Sequence, residues 1–194
     1  MHRFDLNEIA ARPWKNGGGS TREIACWPPG ADMDSFGWRV SIATVAKAGP
    51  FSAFPGIDRQ IMLLDGNGLQ LVGAAAGIDH TLQQRWQPFA FSGDAALECS
   101  MLGGICTDFN VMTRRGQWSA EVLIQGTEAL PGHSAAGLCM VLQGSFLQDD
   151  ALLCTGQGLL WWDMGDDQIR SPAPLLPRDA DSRLVLVNLR QAGR

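Results

Sequence analysis

Four short segments of this chain set polar side chains among apolar and tryptophan residues, a pattern that could form a binding site for a small anion. Charged or amide side chains in alternating strands must face solvent or a polar cavity, because burial without partners costs roughly 1–3 kcal/mol each. Arg39 and Asn110 are the strongest candidates, since each stands mid-strand among large apolar neighbours. The candidate positions in these segments are Trp14, Lys15, Asn16, Thr21, Arg22, Glu23, Trp38, Arg39, Ser41, Asp58, Arg59, Asp108, Asn110 and Arg114.

Other chemistries have weaker support in the sequence. The three histidines, His2, His80 and His133, are far apart and form no pair with metal-ligand spacing, so no transition metal is expected. There is no G-x-S-x-G nucleophile motif, and no cysteine stands beside a histidine base. The run Asn16-Gly17-Gly18-Gly19-Ser20 lacks the Lys-Ser/Thr ending of a P-loop, and its glycines are equally consistent with a loop whose backbone approaches a ligand. No cofactor is therefore predicted.

Composition narrows the class of protein. The chain has 194 residues, of which 45% are hydrophobic and 18% charged, and its formal net charge is −5. Without a Lys/Arg run, no nucleic-acid partner is expected. The five cysteines have no C-x-x-C spacing and are predicted to be reduced thiols. The first residues lack an apolar signal region and no apolar run reaches 18 residues, so a soluble cytoplasmic protein without a membrane span is predicted.

The elements that would carry these residues are short strands. Glycine (23) and proline (10) are frequent, which suits strands joined by turns. In Phe36–Val45 the side chains alternate, with Trp38, Val40, Ile42 and Thr44 on one face and Arg39, Ser41 and Ala43 on the other. Further strands are predicted at 21–27, 60–64, 69–72, 80–82, 88–91, 96–102, 108–113 and 118–125. An all-β sandwich or barrel is the expected fold class.

A weak internal repeat predicts two jelly-roll modules. Residues 61–71 and 140–148 each read as a strand, a glycine turn and a second strand. Residues 87–94 then parallel 156–166, and the last strands 97–102 and 183–189 correspond. The predicted modules are 1–130 and a smaller one, 131–194, divided near Leu130-Pro131-Gly132.

Three sequence blocks carry a family resemblance. WKNGGGSTREI (14–24), WRVSIATVAKAGPFSAFPGIDR (38–59) and DFNVMTRR (108–115) resemble the hallmark blocks of the HutD/Ves family of bacterial proteins. The resemblance implies a double-cupin fold without the histidine-rich metal motif of many cupins. It also implies a link to histidine utilisation, through regulatory binding of a small pathway acid such as urocanate, N-formylglutamate or formate.

Residue chemistry suggests how such an acid would be held. Arg39 or Arg59 would bind the carboxylate as a planar fork. Trp14, Trp38 or Phe51 would stack on a planar group, and Asn110 or Asp108 would take ring nitrogens. Asn16 with Thr21 would close the rim. The expected binding set, with Arg22, Glu23, Ser41 and Arg114 added from the same segments, holds a small carboxylate without a metal.

Two alternatives stay open. The protein could be an isomerase or a hydrolase acting on such an acid, with Glu23 or Asp108 as general base and Arg39 stabilising the developing negative charge. It could also be a structural partner protein with an incidental pocket, and strand edges make a homodimer plausible.

Overall fold

A computed structural model describes residues 1–162 and 173–193, and strands dominate it. Two single 3-10 turns, Leu6–Glu8 and Ala74–Ala76, are the helical elements of these two ranges. None of the described helices is long and apolar enough to cross a membrane. The strands are β1 (His2–Asp5), β2 (Arg12–Pro13), β3 (Gly19–Trp27), β4 (Trp38–Val45), β5 (Gly49–Phe51), β6 (Ile57–Asp65), β7 (Leu69–Gly73), β8 (Ile78–Leu82), β9 (Phe89–Ser92), β10 (Leu97–Met101), β11 (Cys106–Arg114), β12 (Trp118–Gln125), β13 (Ala136–Gln143), β14 (Ser145–Gln148), β15 (Ala151–Cys154), β16 (Gln157–Trp162), β17 (Leu176–Pro177) and β18 (Arg183–Gln191). The all-β class predicted from the sequence is confirmed.

The chain divides into two compact units, residues 9–118 and residues 1–8 with 119–194. This division differs from the predicted boundary near 130. β12 pairs with β18, so the strand that precedes Leu130 already belongs with the C-terminal residues. β1 pairs with β16, which attaches the first residues of the chain to that unit as well.

The 9–118 unit consists of two antiparallel sheets. The six-stranded sheet has the order β2-β3-β4-β11-β6-β9, and the four-stranded sheet has the order β5-β10-β7-β8. The second unit has sheets of order β1-β16-β13-β18-β12 and β15-β14-β17. The run β9-β6-β11-β4 in the first unit therefore has the same form as β16-β13-β18-β12 in the second.

One detail of the predicted repeat differs from this strand order. β18 lies beside β13, as β11 lies beside β6, so the counterpart of β18 is β11 and not the predicted 97–102. β10 instead pairs with β7 in the other sheet. Alternating apolar strands look alike in either sheet, and only the hydrogen-bonded partner distinguishes them. Residues 163–166, at the end of the predicted segment 156–166, lie outside the described residues.

An apolar cluster fixes the strands of the 9–118 unit. It includes Val45 of β4, Leu63 of β6, Leu71 of β7 and Leu97 of β10, all at most 3% exposed. Each fully buried side chain of this kind stabilises the fold by roughly 1.5–3 kcal/mol. Because Val45 and Leu63 are held in this cluster, the side chains on the same faces of β4 and β6, including Arg39 and Arg59, have a fixed direction.

The five cysteines are free thiols.

Candidate functional site

A cavity of about 550 Å³ opens in the 9–118 unit, next to the apolar cluster, against which its lining residues Trp14 and Phe51 pack. Cationic side chains predominate among its charged lining residues, which are Arg12, Lys15, Arg39 and Arg59 against the single carboxylate of Glu23. The candidate residues from the sequence that line it are Trp14, Lys15, Asn16, Thr21, Glu23, Arg39, Ser41, Phe51, Arg59 and Asn110. This unit therefore presents a basic cavity within a chain of net negative charge.

Strand register brings these residues together. Ser41 of β4 is directly opposite Glu23 of β3 and Asn110 of β11. Met112, two residues further along β11, is opposite Arg39 on one side and Arg59 on the other. Residues opposite one another in an antiparallel sheet project from the same face. Four strands from distant parts of the chain thus align these side chains in two adjacent rows on one face of the sheet.

Arg59 is the most deeply buried cation of the cavity. It is 4% exposed, and its guanidinium carbon lies 4.6 Å from the ring centre of Phe51, 5.2 Å from that of Phe54 and 5.1 Å from that of Phe91. Nη1 donates a hydrogen bond to the Ser52 carbonyl oxygen at 3.1 Å. The buried Nε has no partner among the described residues. Burial lowers the pKa of Arg59 to about 10, and the group stays protonated at neutral pH.

Asp108 lies on the same strand face as Asn110, two residues towards the apolar cluster. It is 1% exposed, and neither carboxyl oxygen has a hydrogen-bond partner in the described part of the chain. Burial raises the pKa of Asp108 to about 7, although the charge of Arg59 acts in the opposite direction. The residue is outside the cavity lining. It acts as a buried titratable group beneath the cavity and not as part of its wall.

Arg39 is held in position by two neighbours. Its Nε donates to Glu23 Oε2 at 2.6 Å, and its Nη1 donates to Ser41 Oγ at 3.3 Å. A guanidinium has five N–H donors, so three remain for other partners. Its side chain is 13% exposed and that of Glu23 is 34% exposed, which leaves this ion pair accessible from the cavity.

The glycine run shapes one wall of the cavity. Gly17 has a positive φ of 67°, and its N–H donates to the Trp14 carbonyl oxygen at 3.0 Å. At Gly19 a Cβ would collide with the Thr44 carbonyl oxygen and press on the Trp14 ring. Trp14 in turn donates from Nε1 to Thr21 Oγ1 at 2.8 Å. The glycines therefore let the turn fold tightly enough to place the indole against the cavity.

Asn110 supplies an acceptor to the cavity wall. The residue is 7% exposed, and its Oδ1 has no hydrogen-bond partner in the ranges described. A buried amide oxygen normally accepts a hydrogen bond, and a water molecule or a ligand would have to supply the donor here. At the rim, Asn16 uses its Oδ1 to accept from the Gly18 N–H at 2.9 Å.

Four other candidate residues lie outside the cavity, and one of them, Asp58, accepts from Arg115 Nε at 2.8 Å. Trp38 is on the opposite face of β4 from Arg39 and packs edge-on against Trp118, with ring centres 6.4 Å apart. Arg22 alternates with the cavity-lining Thr21 and donates to the Ile9 carbonyl oxygen at 3.2 Å. Arg114 donates to the carbonyl oxygens of Phe36 and Asp34. The last two arginines therefore bind backbone, and strand alternation explains why Trp38 and Arg22 face away.

The sequence reasoning missed several lining residues, notably Phe54, Ser52, Met112 and Arg12. Phe54 and Ser52 share the segment of Phe51, where two phenylalanines precede an arginine at short range. That spacing is a usable signal for an aromatic enclosure of a cation. Met112 gave no signal, because a methionine in a strand most often belongs to a core.

The described residues contain no group of three or more His, Cys, Asp or Glu side chains that could hold a metal ion. The chemistry that the cavity offers is instead that of charge-assisted hydrogen bonds to an anion, aromatic surfaces beside it, and a neutral amide acceptor.

Comparison with known proteins places this geometry in context. A family model described as HutD matches residues 6–170. Protein Ves from Cronobacter sakazakii is 39% identical over 171 residues, which cover 88% of this chain and 91% of that protein. The solved structure of HutD from Pseudomonas fluorescens SBW25, described as a formate condition, superposes with a TM-score of 0.81. It is 26% identical and the match covers 99% of both chains.

More distant structures share the fold. The bacterial pirin YhhW from Escherichia coli, in complex with nickel(II), is 11% identical and superposes with a TM-score of 0.60 over 96% of this chain and 97% of its own. At that identity the likeness is one of fold alone. The cupin-like all-β architecture expected from the sequence is confirmed.

Proposed function

This chain belongs to the HutD family, and we propose that it is a regulatory protein that binds a small carboxylate intermediate of histidine utilisation in the Arg59 cavity, without a bound metal. The candidate acids are urocanate, N-formylglutamate and formate. Binding in the cytoplasm would tune the pathway by sequestering or sensing the acid. Conversion of the acid by the protein is the alternative, and the experiment below includes it.

The observation that carries this proposal is the state of Arg59. A guanidinium that is 4% exposed and has an unpartnered Nε is costly to maintain in a folded protein. A carboxylate in the cavity would neutralise the charge and accept from the terminal guanidinium N–H groups that the Ser52 carbonyl oxygen does not use. Charge-assisted hydrogen bonds of this kind are about twice as strong as neutral ones.

The surroundings of Arg59 favour a small acid. Phe51, Phe54 and Phe91 place three aromatic rings around the guanidinium, at 4.6–5.2 Å from its carbon. Asn110 Oδ1 can accept from an N–H group, which urocanate and N-formylglutamate carry. The HutD structure of Pseudomonas fluorescens is described as a formate condition, and formate is the smallest carboxylate of the three.

Thermal unfolding in the presence of each acid tests the proposal. An acid at a hundredfold its dissociation constant stabilises the native state by about 2.7 kcal/mol. For a chain of this size we expect Tm to rise by about 5–10 °C. Arg59→Met should abolish the shift, and Arg22→Gln, outside the cavity, should retain it. The proposal fails if none of the three acids shifts Tm or if Arg59→Met shifts like the wild type.

The same samples distinguish binding from turnover. Each acid is incubated with the protein and followed by proton NMR for a day. An acid that binds stoichiometrically and is still chemically unchanged after a day supports a binding function. Steady loss of the acid that depends on Glu23 would instead support the isomerase or hydrolase.

A further inference from the structure

Two arginines of the cavity stand on either side of one strand. Arg39 of β4 and Arg59 of β6 are both directly opposite Met112 of β11, on the same face of the sheet. Neighbouring strands lie about 4.8 Å apart, so the two backbones are separated by roughly 10 Å. Both side chains line the cavity.

Different partners hold the two guanidinium groups apart. Arg39 is drawn towards β3 by Glu23, at 2.6 Å. Arg59 is held by the Ser52 carbonyl oxygen and by the rings of Phe51 and Phe91, on the side of β5 and β9. Because each cation has its own fixed partners, the two do not converge on one point.

The charges of this arrangement are unbalanced. Arg39 and Arg59 repel one another, and the charge of Arg39 lowers the pKa of Arg59. Glu23 is the single carboxylate of the lining, against four cationic side chains. One bound carboxylate at Arg59 would leave the excess positive charge around Arg39, Arg12 and Lys15.

We propose that the cavity is built for an acid with two anionic groups, one bound by Arg59 and the other by Arg39, with Met112 beneath the chain that joins them. This inference rests on the proposed function and narrows its ligand class from carboxylates in general to dicarboxylates. Arg59 offers to the first group the terminal N–H donors that the Ser52 carbonyl oxygen does not use. Arg39 offers to the second the N–H donors that Glu23 and Ser41 do not use.

The test compares two probes of equal chain length, glutarate and pentanoate, which differ by one terminal carboxylate. Calorimetric titrations at fixed ionic strength give Kd for both. We expect glutarate to bind wild-type protein at least about tenfold more tightly, since a second charge-assisted contact is worth that much. Arg39→Gln should weaken glutarate to about the affinity of pentanoate and change the pentanoate Kd far less.

Two further variants guard against misfolding of Arg39→Gln. Glu23→Gln removes the competing negative charge but keeps an amide oxygen that can accept from Arg39 Nε, and it should tighten glutarate more than pentanoate. Arg22→Gln, on the opposite face of β3, should change neither Kd. Circular dichroism and Tm of each variant establish that it is folded.

The outcomes separate this inference from the proposed function. Equal affinity of wild-type protein for both probes overturns the dicarboxylate site, although Arg59-dependent binding would still support the function. A glutarate preference that survives Arg39→Gln overturns the role of Arg39 and with it the inference. If neither glutarate nor pentanoate binds, and the three pathway acids do not bind either, both proposals fail.

Discussion

Arg59 and Asp108 are opposite charges on neighbouring strands of one sheet face, both almost fully buried, and they form no ion pair. Arg59 is 4% exposed and Asp108 is 1% exposed. They influence each other through space, since each moves the pKa of the other towards its charged form. The strand register explains the gap, because Arg59 is opposite Met112 and Asp108 is opposite Leu63. Arg59 thus remains available to an anion in the cavity.

Replacing Arg59 with methionine should abolish binding of the acid without lowering the free energy of unfolding. The variant removes a buried charge and keeps an apolar chain against Phe51, Phe54 and Phe91. We expect the free energy of unfolding in urea to stay the same or to rise by up to about 3 kcal/mol. Binding of formate or glutarate should be lost in the same preparation. A strongly destabilised variant would indicate that Arg59 is structural.

Asp108 should make stability depend on pH between about 4 and 7. The folded-state pKa, raised by burial to about 7, exceeds the ordinary value of 3.8, so the folded protein binds the extra proton in this window. Stability from this group is complete below pH 4 and is lost as pH rises through 7, by a few kcal/mol. Urea unfolding at pH 4.5, 6 and 7.5 measures the trend, and Asp108→Asn should flatten it.

Other titratable groups of this unit do not obscure the pH dependence that Asp108 should produce between about pH 4 and 7. The pKa values of Cys99 and Cys106, raised to about 11 mainly by burial, keep both thiols protonated throughout. Asp94 has the opposite sign, because hydrogen bonds from Gly56 and Arg115 lower its pKa to about 2, and its contribution is lost only below pH 4. Equal pH slopes for wild type and Asp108→Asn would contradict the assignment.

Gly19→Ala should damage both the fold and the cavity wall. The added methyl group would meet the Thr44 carbonyl oxygen and the Trp14 ring, so β3 must shift away from β4. We expect a loss of about 1–3 kcal/mol in the free energy of unfolding. Gly104→Ala is the matched control, since its Cβ would point into open space. Comparable losses in both variants would show that steric contact at Gly19 is not the cause.

Arg114→Met should affect stability alone. Arg114 donates from Nε to the Phe36 carbonyl oxygen at 2.9 Å and from Nη2 to that of Asp34 at 2.7 Å. Loss of these bonds should cost about 1–3 kcal/mol of unfolding free energy. The Kd for glutarate, measured below the lowered Tm, should not change. Weakened binding with stability intact would place Arg114 in the ligand site instead.

The alternating side chains of β4 could be assigned to its two faces from the sequence. The pattern correctly placed Arg39, Ser41 and Ala43 on one face and Trp38 on the other, because the pleat of a strand is local. It did not indicate which face borders a cavity. The sequence pattern therefore indicates both Trp38 and Arg39 as candidates for the site, although their side chains lie on opposite faces of β4.

The sequence by itself determined the all-β class, the family and about half of the residues that line the cavity, because alternation, turns and motif wording are properties of neighbouring residues. Only the tertiary structure decided which arginine is buried, which binds backbone, and that Arg39 and Arg59 flank Met112. Those distinctions depend on the register between β4, β6 and β11, whose residues are far apart in the chain. Hydrogen bonds between strands set that register, and a one-residue shift would turn every side chain of a strand to the other face.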